Sequence, residues 1–283
     1  MKIIKRVRAP VRIDFGGGTT DISPFRDDHG GCVLNAAINR YITGELIIED
    51  KKTKLSYYGN IPTSSGLGTS SAMNVVWTAL ITHHMKDKEK IADNVFKIEQ
   101  SISESRVNGK QDMYAAAFGG INYMEFIGDK VWVNPLKLSQ RIIKELEHRL
   151  VLVYSGGSHY SGSSNKAAID NLIKGKNTSN LLKLKEITID MKNALLKGDL
   201  YMLANLMNSE TDERKKLSKL TISPSLQSAI DLGKKNGAIS AKVCGSGGGG
   251  SILFFAEDRK KLINKFKDRV IDFKFDFEGL KWL

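Results

Sequence analysis

Apolar residues alternate with basic and polar ones over residues 2–14, the period-two pattern of a strand with one buried face. The same alternation over 41–49 and a shorter run over 54–58 predict two more strands. The period then lengthens. Residues 70–84 and 88–105 read as helices, the second with Ile91, Val95, Ile98 and Ile102 at three- or four-residue spacing. Residues 119–126 and 130–133 form a hairpin pattern turning at Gly128-Asp129, and 149–154 is a further strand before a polar loop over 155–164. Helical patterns follow over 165–174, 180–197, 200–216 and 224–236, the last closed by Asn236-Gly237. Strands at 238–243 and 251–255 flank a glycine tract, and 259–268 is a last helix. A soft boundary near residue 150 gives two units, 1–150 and 151–283. No repeat, low-complexity tract or long linker separates them, so the halves should pack tightly.

Composition changes this picture little. A 283-residue chain with 41% hydrophobic and 26% charged residues has the makeup of a globular protein with a substantial core. No apolar run approaches the roughly 18–20 residues that span a bilayer, and the basic N-terminus runs straight into a strand pattern rather than a leader-like apolar stretch. A cytoplasmic protein without membrane contacts is expected. Cys32 and Cys244 are the only cysteines; they are too few for a disulfide framework and lack metal-ligand spacing. Cys244 reads as a small buried residue. The formal charge of +12 comes largely from lysines interleaved with apolar residues on helices of the second half. Such a surface steers anionic substrates. Zinc-finger spacing, an arginine-rich tail and RNA-recognition signatures are all lacking, so no nucleic-acid partner is expected.

Three glycine-rich segments carry the chemistry. Residues 62–72, Pro-Thr-Ser-Ser-Gly-Leu-Gly-Thr-Ser-Ser-Ala, open directly into an apolar helix. Backbone amides at a helix start lack partners and carry the positive end of the dipole, so they attract anions. Gly66 and Gly68 let a polyphosphate approach that backbone. Pro62, Ser65 and Leu67 complete the loop. Thr69, Ser70 and Ser71 add hydroxyls for phosphate oxygens or a hydrated Mg²⁺ ion. The loop lacks the Walker A pattern. The other segments are Arg8-Ala-Pro-Val-Arg-Ile-Asp-Phe-Gly-Gly-Gly-Thr-Thr-Asp21 and Lys242-Val-Cys-Gly-Ser-Gly-Gly-Gly-Gly-Ser251. A fourth, Gly109-Lys-Gln-Asp-Met-Tyr-Ala-Ala-Ala-Phe-Gly-Gly120, places Asp112 before a run of small residues, as a general base or as a helix N-cap.

Taken in order, the three glycine segments resemble the motifs of the GHMP kinases, the family of galactokinase, homoserine kinase, mevalonate kinase and phosphomevalonate kinase. The middle loop is lengthened by one residue, Thr69. The segments at 14–21, 29–35 and 109–126 are similar to the sugar-kinase branch of the D-glycero-D-manno-heptose 7-phosphate kinases and the fucokinases. The resemblance implies a two-lobed α+β fold with its active site between the lobes. It also implies transfer of the γ-phosphate of ATP, with Mg²⁺, to a hydroxyl of a sugar or sugar phosphate. The first expectation is the anomeric hydroxyl of D-glycero-D-manno-heptose 7-phosphate; the alternatives are mevalonate or its phosphate, or a non-catalytic nucleotide-binding relative. It makes Asp112 the base, Arg12 the cation beside it, and Ser71 with Glu99 the magnesium side, Glu104 competing with Glu99. Gly17, Gly18, Thr19, Asp21, Gly245, Gly247 and Gly248 fall on the substrate side. A monomer or homodimer is expected.

Two departures stand out. Heptose-phosphate kinases usually carry a longer insertion before the phosphate loop, where residues 57–61 connect almost directly here. That branch also tends to show G-x-S-R-x-S after the strand near 150, and this chain has Gly156-Gly-Ser-His-Tyr-Ser161. If the arginine grips a substrate phosphate, His159 would do so only when protonated, with Lys110 or Lys166 as substitutes.

Overall fold

Two long antiparallel strands frame the first half of the molecule. The structure is a computed structural model that describes residues 2–50, 52–82, 87–102, 107–156 and 161–283. Strand β1 (Lys2–Gly16) leads through helix α1 (Phe25–His29) into β2 (Gly31–Glu49), and the two pair along most of their lengths. Strand β3 (Lys52–Gly59) returns along the outer half of β2. Helices α2 (Thr69–Thr82), α3 (Lys88–Ile102) and α4 (Gln111–Phe118) follow, then the hairpin β4 (Ile121–Ile127) and β5 (Lys130–Pro135). Helix α5 (Gln140–Arg149) leads to β6 (Leu150–Tyr154).

The second half is α6 (Ser161–Ile173), α7 (Thr178–Lys197), α8 (Leu200–Lys215), α9 (Pro224–Lys235), β7 (Ala238–Val243), β8 (Ser251–Ala256) and α10 (Arg259–Phe266). Two short strands, β9 (Val270–Ile271) and β10 (Lys281–Trp282), end it. The first sheet runs β10-β1-β2-β4-β5, with β3 also on β2; the second runs β7-β8-β6-β9. Every recorded strand pairing is antiparallel.

Helix α2 forms where the apolar positions Ala72, Val75, Val76, Ala79 and Leu80 make one buried stripe, which packs on β1 and β2. Helices α7 and α8 pair with each other, α7 touching β1 and β2 and α8 touching β7. The largest apolar cluster therefore runs from Val7 and Phe15 of the first sheet to Leu253 and Phe255 of the second.

Several elements differ from the expectation, the short α1, β9 and β10 among them. Strand β2 begins ten residues before the predicted start at 41, because residues 31–38 lie between β1 and β4 and are buried on both faces, which erases the alternation. Helix α5 was not read from the sequence, although Ser139 caps it by accepting from the Ile142 amide at 3.3 Å. The polar loop expected through 164 gives way to α6 at Ser161. The C-terminal residues also leave the second sheet: β10 pairs with β1, and Asp276 accepts the Gly279 amide through its side chain (2.7 Å) and the Gly120 amide through its carbonyl (2.6 Å).

That docking is tight. Gly279 has φ +69°, and a Cβ there would meet the Ala117 carbonyl oxygen at 2.5 Å. Gly279→Ala should lower stability by about 2 kcal/mol through backbone strain and displacement of the tail. Chemical denaturation followed by circular dichroism checks this, and an unchanged midpoint would show that the tail contributes little.

Candidate active site

The phosphate-type loop enters α2 with its glycines in the left-handed region, Gly66 at φ +73° and Gly68 at φ +72°. The Leu67 side chain is fully buried while its carbonyl accepts from the Arg12 amide at 3.0 Å, which anchors the loop to β1. The C-terminal glycine tract closes on the loop from the other lobe. A Cβ on Gly66 would stand 2.7 Å from the Cys244 carbonyl oxygen, and one on Gly245 would stand 2.8 Å from the Gly66 carbonyl oxygen. Only backbone without Cβ atoms permits this approach. A cavity of about 280 Å³ opens there, with Gly66, Gly68 and the first turn of α2 on one wall and Gly245 and Ser246 on another.

Arg12 and Asp14 are two residues apart on β1, so they share a face. Arg12 Nε donates to Asp112 Oδ1 at 2.7 Å and Arg12 Nη1 donates to the Gly66 carbonyl at 2.6 Å. Burial alone would lower the Arg12 pKa, but Asp112 and Asp14 raise it, so the guanidinium stays charged. Asp112 sits in the first turn of α4 and lines the cavity with Arg12. The base and cation expected from the sequence thus meet through a direct ion pair.

Behind them lies a buried charge network that the sequence reading did not identify. Asp14 Oδ2 accepts from Lys242 Nζ at 2.8 Å, and Oδ1 accepts from the Gly245 amide at 2.8 Å. Lys242 also lies 3.6 Å from Glu210 Oε1, which receives Arg214 Nη2 at 2.7 Å. Arg214 Nη2 in turn donates to the Gly18 carbonyl at 3.0 Å. Burial would raise the Asp14 carboxyl, yet Lys242 and Arg12 bring it down from 3.8 to about 2. The i,i+4 spacing of Glu210 and Arg214 on the predicted helix was the available signal; it is ordinarily that of a solvated surface pair.

Asp21 is buried, and its Oδ2 accepts from the Gln111 amide at the start of α4 (3.0 Å). Burial raises its pKa, the Gln111 amide opposes that, and the Asp112 charge adds to it. Gly109 leaves room for this carboxylate, since a Cβ there would fall 2.2 Å from Asp21 Oδ2. Gly18, Thr19 and Asp21 all line the cavity, and Thr19 holds a positive φ of 77°. Asn165 of α6 reaches the same cavity from the second half of the chain.

Ser65, Thr69, Ser70 and Ser71 line the cavity, and Ser65 Oγ lies 3.3 Å from Thr69 Oγ1. Glu99 lies behind Ser71 rather than on the cavity wall. Asn74 Nδ2 donates to its Oε1 at 3.0 Å. Burial raises the Glu99 pKa against hydrogen bonds from Asn74 and Ser71. A carboxylate under that penalty beside a cavity hydroxyl suits a hydrated cation. Among the described residues, no group of three or more His, Cys, Asp or Glu side chains forms a metal cluster.

Other expected residues lie elsewhere. Pro62 is off the cavity wall. Gly17 faces the Cys32 carbonyl, which a Cβ would meet at 2.0 Å. Gly247 and Gly248 pack on Thr221, whose carbonyl accepts the Gly248 amide at 2.8 Å, so these glycines shape the turn rather than the wall. Lys110 donates to the Asp129 carbonyl at 2.5 Å and lies over Phe96; Lys166 pairs with Asp170 at 3.0 Å. Neither lines the cavity. His159 and Glu104 lie outside the described residues. Both cysteines are buried and free, with burial pushing Cys244 up to about 12.

The profile of the GHMP kinases N terminal domain matches residues 32–120, and that of the GHMP kinases C terminal matches residues 191–272. The D-glycero-alpha-D-manno-heptose 7-phosphate kinase of Campylobacter jejuni is 30% identical, over 99% of both chains. That alignment extends over 337 residues against 283 here, so the relative carries segments this chain lacks. A crystal structure of a D-glycero-D-manno-heptose 1-phosphate kinase from Bacteroides thetaiotaomicron superposes with a TM-score of 0.75 at 27% identity, over 99% of each chain. The mevalonate kinase of L. major, 17% identical with a TM-score of 0.73 over 96% of each chain, shares the fold.

The Asp14–Lys242 pair is fully buried, so removing one partner strands the other charge. Lys242→Met should lose about 3 kcal/mol, and Asp14→Asn/Lys242→Met should recover most of it. Because the folded Asp14 pKa is depressed, its contribution is present above about pH 4 and fades as pH falls through about 2. Acid unfolding should therefore be shallower between those values in the double variant; an identical profile would remove Asp14 from the acid response.

Proposed function

Since this chain belongs to the GHMP kinase family, we propose that it transfers the γ-phosphate of ATP to the anomeric hydroxyl of a sugar phosphate, D-glycero-D-manno-heptose 7-phosphate first. The observation that carries this reading is the meeting of three elements on one cavity: the Asp112 carboxylate, the Arg12 guanidinium and the open N-terminus of α2. The full-length similarity to the Campylobacter heptose 7-phosphate kinase supports the acceptor. Likeness to mevalonate kinase extends to the fold alone and does not choose between acceptors.

The roles follow from charge and position. The amides of the first turn of α2 and the hydroxyls of Thr69, Ser70 and Ser71 receive the polyphosphate. Asp112 takes the proton of the acceptor hydroxyl as its oxygen forms a bond to the γ-phosphorus and the bond to the ADP oxygen breaks. Arg12, charged and fixed between Asp112 and the Gly66 carbonyl, orients that carboxylate and offsets charge on the transferring group. Ser71 and Glu99 are the residues that would hold Mg²⁺, which when bound neutralises phosphate charge. Asp21, which lines the cavity with Thr19 and Gly18, accepts from sugar hydroxyls.

An ADP-release assay with Mg²⁺·ATP tests the reading against D-glycero-D-manno-heptose 7-phosphate, sedoheptulose 7-phosphate, L-fucose, galactose, N-acetylhexosamines and mevalonate. Turnover should favour the heptose phosphate; turnover confined to mevalonate would overturn the acceptor. In the same assay Asp112→Asn should lower kcat by about 10²–10⁴-fold while ATP affinity stays within a few-fold. Unchanged turnover would remove Asp112 from the mechanism.

A further inference from the structure

Helix α4 carries Asp112 in its first turn, yet the residue that opens the helix does not cap it. Lys110 stands at the N-cap position, where its side chain accepts no backbone amide and its charge faces the positive end of the helix dipole. The residue is only 2% exposed. Burial and the neighbouring Arg26 charge both push its pKa below the ordinary lysine value. Arg26 and Lys110 approach one ring, that of Phe96, at 5.2 and 4.7 Å. They also share the Asp129 carboxylate, at 3.6 and 3.8 Å, but that side chain is 93% exposed. A carboxylate so well solvated offsets little of the cost of two neighbouring cations. The charge of Lys110 therefore adds little to the stability of the fold.

What Lys110 does is fasten the start of α4 from outside the helix. Its Nζ donates to the Asp129 carbonyl at 2.5 Å, in the turn between β4 and β5. The next residue, Gln111, donates its amide to Asp21 Oδ2 at 3.0 Å, and Asp112 follows with its Oδ1 held by Arg12 Nε at 2.7 Å. We propose that Lys110 is a positioning residue for the proton transfer: by anchoring the first turn of α4 to the β4–β5 turn, it holds the Asp112 carboxylate where the acceptor hydroxyl presents its proton. The inference rests on the sugar-kinase reading above and deepens it. Lys110 lies off the cavity wall, so it acts through Asp112. Without the anchor, the start of α4 depends on the Gln111 amide. Arg12 can follow a displaced carboxylate only as far as its own bond to the Gly66 carbonyl allows. A displacement of about 1 Å at a reacting group costs up to about 10²-fold in rate.

A double-mutant cycle tests this with Mg²⁺·ATP and D-glycero-D-manno-heptose 7-phosphate. Lys110→Met, with Lys110→Gln as a second variant, is made in the wild-type chain and in Asp112→Asn. In the wild-type chain either should lower kcat by about 10- to 100-fold, with ATP affinity within about two-fold. The denaturation midpoint of Lys110→Met should stay level or rise, since a buried cation has been removed. In the Asp112→Asn chain the same substitutions should change kcat by about two-fold or less, because the group that Lys110 positions is gone. Lys110→Arg, which keeps a long donor, should recover most of the loss. An equal loss in both backgrounds marks a structural role and overturns the inference, as does a wild-type kcat in both Lys110 variants. No turnover by the wild-type chain, or turnover unaffected by Asp112→Asn, overturns the reading of the site and this inference with it.

Discussion

The ion pair between Asp14 and Lys242 joins the two halves of the molecule beside the cavity lined by Arg12 and Asp112. One carboxylate, fully buried on β1, receives a lysine from β7 and the backbone amide of Gly245. An isolated charge in that position would be expelled or neutralised, because the cost of stripping its water is several kcal/mol per ion. Lys242, Glu210 and Arg214 together with Arg12 spread that cost over a continuous set of contacts. The consequence is geometric. Gly18 is held through Arg214, Gly245 through Asp14, and Gly66 through Arg12, so one network touches all three glycine segments.

Glycine does a second job at this junction. The phosphate-type loop and the C-terminal tract approach backbone to backbone, with Gly66 and Gly245 each in positive φ, Gly66 facing the Cys244 carbonyl and Gly245 facing the Gly66 carbonyl. A methyl group on either would meet a backbone carbonyl and push the two segments apart. The dipole at the helix start and the donated amides then face a wall whose position the buried charges have already set.

Much of this was legible in the sequence. The glycine tracts, the hydroxyl cluster before α2, Asp112 and Arg12 were all recognisable, because their residue types are unusual in combination and their order matches a known family. In the structure Arg12 pairs with Asp112, and both border one cavity with the glycine loop. Less was legible where burial erases periodicity, as at the start of β2, or where a polar residue's setting decides its meaning. Glu210 and Arg214 look like a surface pair on a helix and are instead buried within the network. Gly247 and Gly248 read as cavity residues and turned out to serve the bend against Thr221.

The sequence by itself determined which chemical groups are available and how most local segments fold, since hydrophobic period, helix-start chemistry and the need for missing Cβ atoms are local properties. The tertiary structure decided which of those groups meet. Arg12 and Asp112 are 100 residues apart, and Asp14 and Lys242 are 228 apart. Whether such groups are stranded, paired or solvated depends on the packing of β1 against α2, α4 and β7. An electrostatic interaction takes its strength from the distance and burial of its partners, and neither is a property of any one stretch of chain.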